Sequence, residues 1–194
     1  MKKVTQRIIA GKYKNKPIEL PSLDTTRSTK SVLKESFFNT VQYDIIDVNF
    51  VEGFGGSGSI GLEALSRGAK RAYFCEIDKN SFKVLQKNCT NIDKENSITV
   101  LGDSFEYVPK LINEQLKNDD TPIIVYLDPP FDIRAGMDEI YNKTFDMVKS
   151  FDNTNIFLLV FEHKTGLEMP EMIGNFKKRK SKKFGNSSLT FYEA

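Results

Sequence analysis

"EGFGGSGSIGLEALSRGAK", residues 52–70, decides the fold because it joins a buried strand to a helix through a glycine-rich turn. Residues 56–61 have the pattern G-x-G-x-x-G, which is typical of a turn that brings a nucleotide close to the backbone. The preceding stretch, "DVNFVEGF", predicts a buried strand from its valines and phenylalanines, and Gly68 ends the predicted helix. The stretch therefore predicts a nucleotide-binding unit, while the pattern alone leaves the identity of the nucleotide open.

Strand patterns and helical patterns alternate along the rest of the chain. Further strands are predicted in "RAYFCEID", "SITVLGD", "PIIVYLDPPF" and "NIFLLVFEHK". This alternation predicts an α/β fold with a mostly parallel, doubly wound sheet that is covered on both faces. "FKKRKSKKFGNSSLTFYE" predicts a C-terminal hairpin around Gly185 and Asn186, which would add an antiparallel edge. "RIIAGKYKNKPIEL" predicts a small basic hairpin near the N-terminus, and a helix is expected after it.

Charge is unevenly distributed along the 194 residues, although the net charge is only +2. Residues 1–34 carry a net +7 and residues 174–194 a net +5, whereas residues 35–173 carry a net −10. Basic ends would attract a polyanion such as a nucleic acid, because lysines that contact phosphates supply affinity without sequence choice. The alternative is that these lysines only keep the protein soluble.

The cysteines and the apolar segments give a simpler set of expectations. Cys75 and Cys89 form neither a disulfide framework nor a metal-binding pattern, so we expect a cytoplasmic protein without a bound metal. Because no apolar run reaches about 18 residues, no membrane association is expected.

Three acidic residues and one tetrapeptide distinguish between candidate nucleotides. Glu76 ends the second strand, and its carboxylate can bind ribose hydroxyls of either NAD or S-adenosylmethionine. Glu52 would suit the amino group of a methionyl moiety and would repel a pyrophosphate. Asp103 can accept a hydrogen bond from an adenine amino group. A dehydrogenase has no evident use for "DPPF" at 128–131, so these features favour S-adenosylmethionine.

"EGFGGSGSIGLEALSRGA", "CEID", "GDSF" and "DPPF", in this order, resemble the class I S-adenosylmethionine-dependent methyltransferases. "RIIAGKYKNKPIEL", "TRSTKSVLKESFFN" and "KFGNSSLTFYE" extend the resemblance to the bacterial small-subunit ribosomal RNA guanine-N2 methyltransferases of the RsmD type. The chain departs from the family pattern at Glu52, where Asp is commoner, and at Gly55, where Ala is expected. The segment 27–35 lacks the family's Pro, Asp and one Arg.

The resemblance implies a Rossmann-like class I methyltransferase fold and methyl transfer from S-adenosylmethionine to the N2 amine of a guanosine in 16S ribosomal RNA. The implied cofactor-binding residues are Glu52, Phe54, Gly55, Gly56, Ser57, Gly58, Glu76, Ile77, Asp103 and Ser104. The implied catalytic residues are Asp128, Pro129, Pro130 and Phe131. In this interpretation the Asp128 carboxylate and the Pro129 carbonyl accept hydrogen bonds from the target amine, and Phe131 stacks on the base. The sole histidine, His163, is expected to be structural.

Alternative functions remain open on the residues alone. An adenine-N6 or protein-glutamine acceptor is possible because related tetrapeptides serve those amines. The glycine pattern also permits an NAD-dependent oxidoreductase, and a non-enzymatic RNA-binding protein could share the scaffold.

The basic N-terminal segment is the predicted RNA contact. Lys12, Lys14 and Lys16 are spaced by two, so in a strand they would share one face, and Arg27 follows at the start of the expected helix. We expect residues 1–40 to form an RNA-contacting hairpin and helix, and residues 41–194 to form the methyltransferase domain. The expected partner is ribosomal RNA or the small ribosomal subunit, bound by a monomer.

Overall fold

A computed structural model of the chain describes residues 4–21, 27–130, 137–152 and 154–194. The strands are β1 (Thr5–Arg7), β2 (Pro17–Glu19), β3 (Asn49–Glu52), β4 (Arg71–Glu76), β5 (Ser97–Leu101), β6 (Ile123–Leu127), β7 (Ile156–Lys164), β8 (Met172–Ile173), β9 (Phe176–Phe184) and β10 (Ser187–Glu193). The helices are α1 (Arg27–Thr40), α2 (Ser59–Ser66), α3 (Lys79–Ile92), α4 (Ser104–Lys110) and α5 (Met137–Lys149). A π-helical turn, Leu111–Gln115, follows α4, which contains Pro109 near its end.

Eight strands form the main sheet in the order β5–β4–β3–β6–β7–β10–β9–β8. Strands β3 to β7 pair in parallel, as the alternation of strands and helices predicts. The chain runs outward from β3 in one direction through β4 and β5, and in the other direction through β6 and β7. Ligands of doubly wound sheets bind outside the carboxyl ends of the strands, at the point where the strand order changes direction. The fold class predicted from the sequence is therefore confirmed, and the topology places the candidate site at the ends of β3 and β6.

The C-terminal hairpin also agrees with the prediction. Strand β10 pairs antiparallel with both β7 and β9, and Gly185 in the connecting turn has φ +60°. Strand β8 pairs with Phe176 and Lys177 at the start of β9, and the described residues place no strand beside the rest of β9 on that side. The lysines that follow therefore lie on an edge strand, where charge discourages pairing with another chain.

Two apolar clusters fill the space on the two faces of the sheet. The neighbouring residues Phe50 and Val51 of β3 belong to different clusters because side chains alternate along a strand. Helices α1, α2 and α3 cover the face of Phe50, and helices α4 and α5 cover the face of Val51. These helices hold the strands in register and fix the positions of their carboxyl ends.

The N-terminal hairpin is shorter than predicted. Strands β1 and β2 pair antiparallel, with Thr5 opposite Glu19, but residues 8–16 form a turn between them. Gly11 and Asn15 have φ +84° and +71°, which interrupts an extended strand. A Cβ on Gly11 would lie 1.8 Å from the Ser66 carbonyl oxygen, so the turn packs tightly on α2. The expectation that Lys12, Lys14 and Lys16 alternate along one strand is therefore wrong.

Residues 4–21 and helix α1 contribute to the same hydrophobic core as the sheet. Ile8 and Ile18 of the hairpin are buried in the same cluster as Phe37 of α1 and Phe50 of β3. Helix α1 ends at Thr40. The N-terminal segment is thus packed onto the sheet as part of one core, and its contact with RNA stays a prediction.

Candidate cofactor and substrate site

The glycine-rich turn after β3 has a backbone conformation that would be strained for most residues other than glycine. Gly56 and Gly58 have φ +51° and +75°, in the left-handed region that favours glycine. The Gly55 N–H donates to the Cys75 carbonyl at 2.7 Å, and the Gly58 N–H donates to the Gly55 carbonyl at 2.7 Å. A Cβ on Gly58 would come within 2.6 Å of the Leu85 side chain. The turn is therefore compact, and it leads directly into α2.

Glu52, the last residue of β3, has its carboxylate buried under this turn. Its side chain accepts a hydrogen bond from the Gly61 N–H at 2.8 Å, and the residue is only 5% exposed. Burial raises the pKa of Glu52 to about 8, although the N–H groups of Gly61 and Ile60 and the Lys34 charge oppose the shift. A cation placed beside this carboxylate would favour its charged form. Glu52 therefore suits the methionyl amino group that the sequence analysis assigned to it.

Glu76, at the end of β4, holds the glycine turn from the neighbouring strand. Its two carboxylate oxygens accept hydrogen bonds from the Gly56 N–H at 2.7 Å and the Asp78 N–H at 2.8 Å. The adjacent Ile77 is 66% exposed. The structure thus shows a structural role for Glu76, and its bond to a ribose stays a prediction.

Asp103 and Ser104 follow β5 at the same edge of the sheet. An oxygen of the Asp103 carboxylate accepts a hydrogen bond from the Phe105 N–H at 2.9 Å and caps α4. Ser104 is buried at the first position of that helix. Because β3, β4 and β5 are successive parallel strands, Glu52, Glu76 and Asp103 form a row along the carboxyl edge. The sequence-predicted order of these three acids is therefore preserved in space.

A cavity of about 260 Å³ lies where the glycine turn meets the end of β6 and the N-terminal segment. The lining residues that the motifs identified are Glu52, Phe54, Gly55, Gly56, Ser57 and Asp128. Gly58, Glu76, Ile77, Asp103 and Ser104 are not among its lining residues and extend the candidate site along the carboxyl edge. The N-terminal segment closes the cavity with Gln6, Leu20, Pro21, Leu33 and Lys34. The cavity therefore joins the predicted cofactor turn to the predicted catalytic stretch.

The sequence analysis missed three buried polar residues of the cavity: Tyr126, Glu162 and Lys34. The Tyr126 hydroxyl of β6 donates to the Glu162 carboxylate of β7 at 2.7 Å. Burial, followed by the Glu162 charge, raises the pKa of Tyr126 well above its ordinary value, so the phenol keeps its proton. The sequence does contain a signal for Glu162, because an acidic residue near the end of the apolar stretch "NIFLLVFEHK" indicates a carboxylate at the end of a buried strand. The neighbouring His163 bonds to Thr190 Oγ1 at 2.7 Å, which agrees with its expected structural role.

The catalytic stretch leaves β6 at the mouth of this cavity. Asp128 is half-buried and lines the cavity, Pro129 is buried and Pro130 is exposed. The proline rings fix φ, and the second proline disfavours a helical conformation at Pro129. Phe131, the fourth predicted catalytic residue, lies outside the described residues, as does the side chain of Arg27.

The predicted RNA-binding residues Lys12, Lys14 and Lys16 lie in the turn of the N-terminal hairpin. The Nζ atoms of Lys12 and Lys16 are 4.7 Å and 4.6 Å from the centroid of the Tyr13 ring. Lys12 also forms an ion pair with Asp93 at 3.1 Å, while Lys14 is exposed. Lys12 and Lys16 therefore lie beside one aromatic ring, a different arrangement from the predicted single strand face.

Comparisons with known proteins identify the family. A family model described as "Conserved hypothetical protein 95" matches residues 6–193. The chain belongs to this family. Its resemblance to the RsmD-type enzymes, inferred from the motifs, is confirmed by curated relatives named "Ribosomal RNA small subunit methyltransferase D".

Two such relatives and one solved structure show how far the similarity extends. The Haemophilus influenzae relative is 34% identical over 127 residues, and the match covers 64% of this chain but only 63% of the relative, less than two thirds. The Escherichia coli relative is 28% identical over 188 residues, which cover 96% of this chain and 89% of the relative. The structure of yhhF from Escherichia coli has a TM-score of 0.74 at 27% identity and covers 98% of both chains. The similarity therefore includes the N-terminal segment as well as the sheet.

In the part of the chain that the structure describes, none of the helices combines the length and the apolar composition that a membrane span requires.

Proposed function

We propose that this chain transfers a methyl group from S-adenosylmethionine to the N2 amine of a guanosine in small-subunit (16S) ribosomal RNA. The observation that carries this proposal is the single cavity that the glycine turn shares with Asp128. Family membership supports the reaction class, since the curated relatives are named as methyltransferases of small-subunit ribosomal RNA. The choice of guanine N2 over adenine N6 or a protein glutamine rests on the resemblance to the RsmD type.

The residues of the site fit S-adenosylmethionine better than NAD. Glu52 is a buried carboxyl group beside the glycine turn, where a methionyl ammonium would stabilise its charged form and a pyrophosphate would not. The cavity side of the turn is open at Gly56, where a Cβ would meet no atom within 4 Å, so a ligand can approach the backbone there. Glu76 and Asp103 continue the site toward the ribose and the adenine. When bound, the cofactor supplies a methyl group on a positively charged sulfur.

The chain's own contribution to the chemistry is to hold and orient the target amine. The guanine N2 lone pair is delocalised into the ring, so the amine is a poor nucleophile without positioning. The Asp128 carboxylate and the Pro129 carbonyl accept its N–H groups and stabilise the positive charge that develops on nitrogen. Well-oriented reactants gain roughly 7–11 kcal/mol from proximity. The target base must leave its stack, or already be unpaired, to reach this cavity.

RNA is proposed to bind through the basic N-terminal segment, with Lys12, Lys14, Lys16 and Arg27 near its phosphates. Two observations support this RNA-binding surface. Residues 1–34 carry a net charge of +7, and several residues of the same segment line the cavity. We also propose that the protein acts as a monomer in the cytoplasm, as expected for a modifier of ribosomal RNA.

A methyl-transfer experiment tests the proposed function. The protein is incubated with S-adenosylmethionine labelled on the methyl group and with either naked 16S ribosomal RNA or small subunits lacking the modification. Label at a single guanosine N2, absent with Asp128→Ala, is the expected result. Label on adenine N6 or on protein would replace the proposed acceptor, and binding of NAD without binding of S-adenosylmethionine would overturn the enzyme class.

A further inference from the structure

Lys34 of α1 is a buried ammonium group whose hydrogen-bonding contacts are long. Its side chain is 1% exposed, and it lines the cavity beside Glu52. Its Nζ atom lies 3.5 Å from the Glu63 carboxylate and 3.5 Å from the Arg7 carbonyl oxygen. Charge-assisted hydrogen bonds between an ammonium and a carboxylate are typically about 2.7–2.9 Å long. Among the residues that the structure describes, Lys34 therefore has weak hydrogen-bonding partners for a charge removed from water.

The Glu63 carboxylate is already engaged by closer donors. It accepts hydrogen bonds from the Ile9 and Ala10 N–H groups at 2.8 Å and 3.0 Å, and from Arg67 Nε at 2.8 Å. Glu63 thus shares its negative charge with another cation and two backbone donors. Burial accordingly lowers the pKa of Lys34 despite the nearby Glu63 charge. A further anion in the cavity would restore the balance of charge around Lys34.

The cavity lining has an excess of acidic groups. It contains the carboxyl groups of Glu52, Asp128 and Glu162, whereas Lys34 is the one lysine or arginine among the described residues that line it. The methionyl end of S-adenosylmethionine carries both an ammonium and a carboxylate. Glu52 suits the ammonium, but the carboxylate would be repelled by the acidic groups unless a cation received it. Lys34 has the opposite charge and lies in the same cavity.

We propose that Lys34 binds the α-carboxylate of the methionyl portion of S-adenosylmethionine, while Glu52 binds the α-ammonium. This inference rests on the proposed function for the identity of the cofactor. Helix α1 then contributes directly to the cofactor site, in addition to any contact with RNA. It also gives a function to Lys34 within the segment 27–35, where this chain departs from the family pattern.

The test compares two ligands that differ at the proposed contact. S-adenosylhomocysteine carries the amino-acid end, whereas 5′-methylthioadenosine has the same adenosine and thioether without it. Lys34→Met should weaken S-adenosylhomocysteine binding about 10- to 100-fold, the range expected for a charged hydrogen bond, and should change methylthioadenosine binding less than about threefold. Lys34→Arg should recover part of the lost affinity. Equal weakening of both ligands, or no weakening of either, would overturn the proposal.

Two controls separate this role from a purely structural one. Lys70→Met removes a lysine that contacts Thr121 and Asp119 elsewhere on the protein, and it should leave both affinities unchanged. If Lys34→Met does not fold, the wild-type protein still tests the proposal with a decarboxylated analogue of S-adenosylhomocysteine that keeps the amine. Equal affinity of the wild type for this analogue and for S-adenosylhomocysteine would refute carboxylate recognition. Failure of the wild type to bind any of the three ligands would instead refute the proposed cofactor.

Discussion

Binding of S-adenosylhomocysteine at pH 7 is expected to release close to one proton, and Glu52 is the source. Burial raises the pKa of this carboxyl group to about 8 from an ordinary value of 4.5. At pH 7 a group with this pKa is about nine-tenths protonated, and deprotonating it costs about 1.4 kcal/mol. The ligand's ammonium stabilises the carboxylate, so the proton leaves as the complex forms. The dissociation constant for S-adenosylhomocysteine should therefore fall about eight- to tenfold as the pH rises from about 6 to about 7.

Isothermal titration calorimetry in two buffers measures this release directly. The observed enthalpy varies with the ionisation enthalpy of the buffer, and the slope gives the number of protons released. Glu52→Gln should reduce the slope to near zero and flatten the pH dependence of binding. Glu114→Gln, which changes an exposed carboxylate on the π-helical turn, is the matched control and should keep the wild-type slope. A wild-type slope of zero, or an equal slope in Glu52→Gln, would refute the assignment of Glu52.

The same pKa shift has a consequence for stability without ligand. The folded protein retains a proton on Glu52 that the unfolded chain releases above its ordinary pKa of 4.5. The stabilising effect is complete below that value and is lost as the pH rises through about 8, by as much as about 5 kcal/mol. Urea unfolding at pH 4.5 and pH 8.5 should therefore show Glu52→Gln gaining stability relative to the wild type at the higher pH. A constant difference between the two proteins would contradict the shift.

Three other substitutions test separate parts of the site. Asp128→Ala should lower the methyl-transfer rate by about 10²–10³-fold with little change in S-adenosylhomocysteine affinity, because its interaction is strongest in the transition state; equal losses in both would contradict this role. Gly58→Ala should destabilise the protein by more than Gly166→Ala in thermal unfolding, since both have positive φ but only Gly58 is crowded; equal losses would show that crowding is unimportant. Replacing Lys14 and Lys16 together by Ala should reduce the log–log salt slope of RNA binding by up to about two units, and an unchanged slope would place the RNA elsewhere.

The sheet and the cofactor turn could be predicted because their signals are local in the sequence. Each buried strand is a short apolar run, and the glycines of the cofactor turn follow directly after the first of these strands in the sequence. The parallel order then places the residues that follow each strand at one edge, which is why Glu52, Glu76 and Asp103 were identified in advance. No long-range contact had to be known for this part of the argument.

Contacts that depend on tertiary packing could not be predicted in the same way. Lys34 and Glu162 enter the cavity because α1 packs over the sheet and β7 lies beside β6, and neither arrangement has a local signature. The spacing of Lys12, Lys14 and Lys16 suggested a strand, but the packing of Gly11 against α2 produces a turn. Spacing predicts a shared face only while the backbone keeps one conformation.

Glu63 connects the parts of the molecule that the sequence analysis had divided into an RNA-binding segment and a catalytic domain. It lies on α2, the helix that begins after the cofactor turn, and it binds the hairpin backbone at Ile9 and Ala10. It also pairs with Lys34, which lines the cavity from α1. The hairpin, α1 and the cofactor helix therefore meet at one buried carboxylate. In the proposed function, a displacement of the hairpin by RNA would change the surroundings of Lys34, so Glu63 would connect the proposed RNA contact with the proposed cofactor contact.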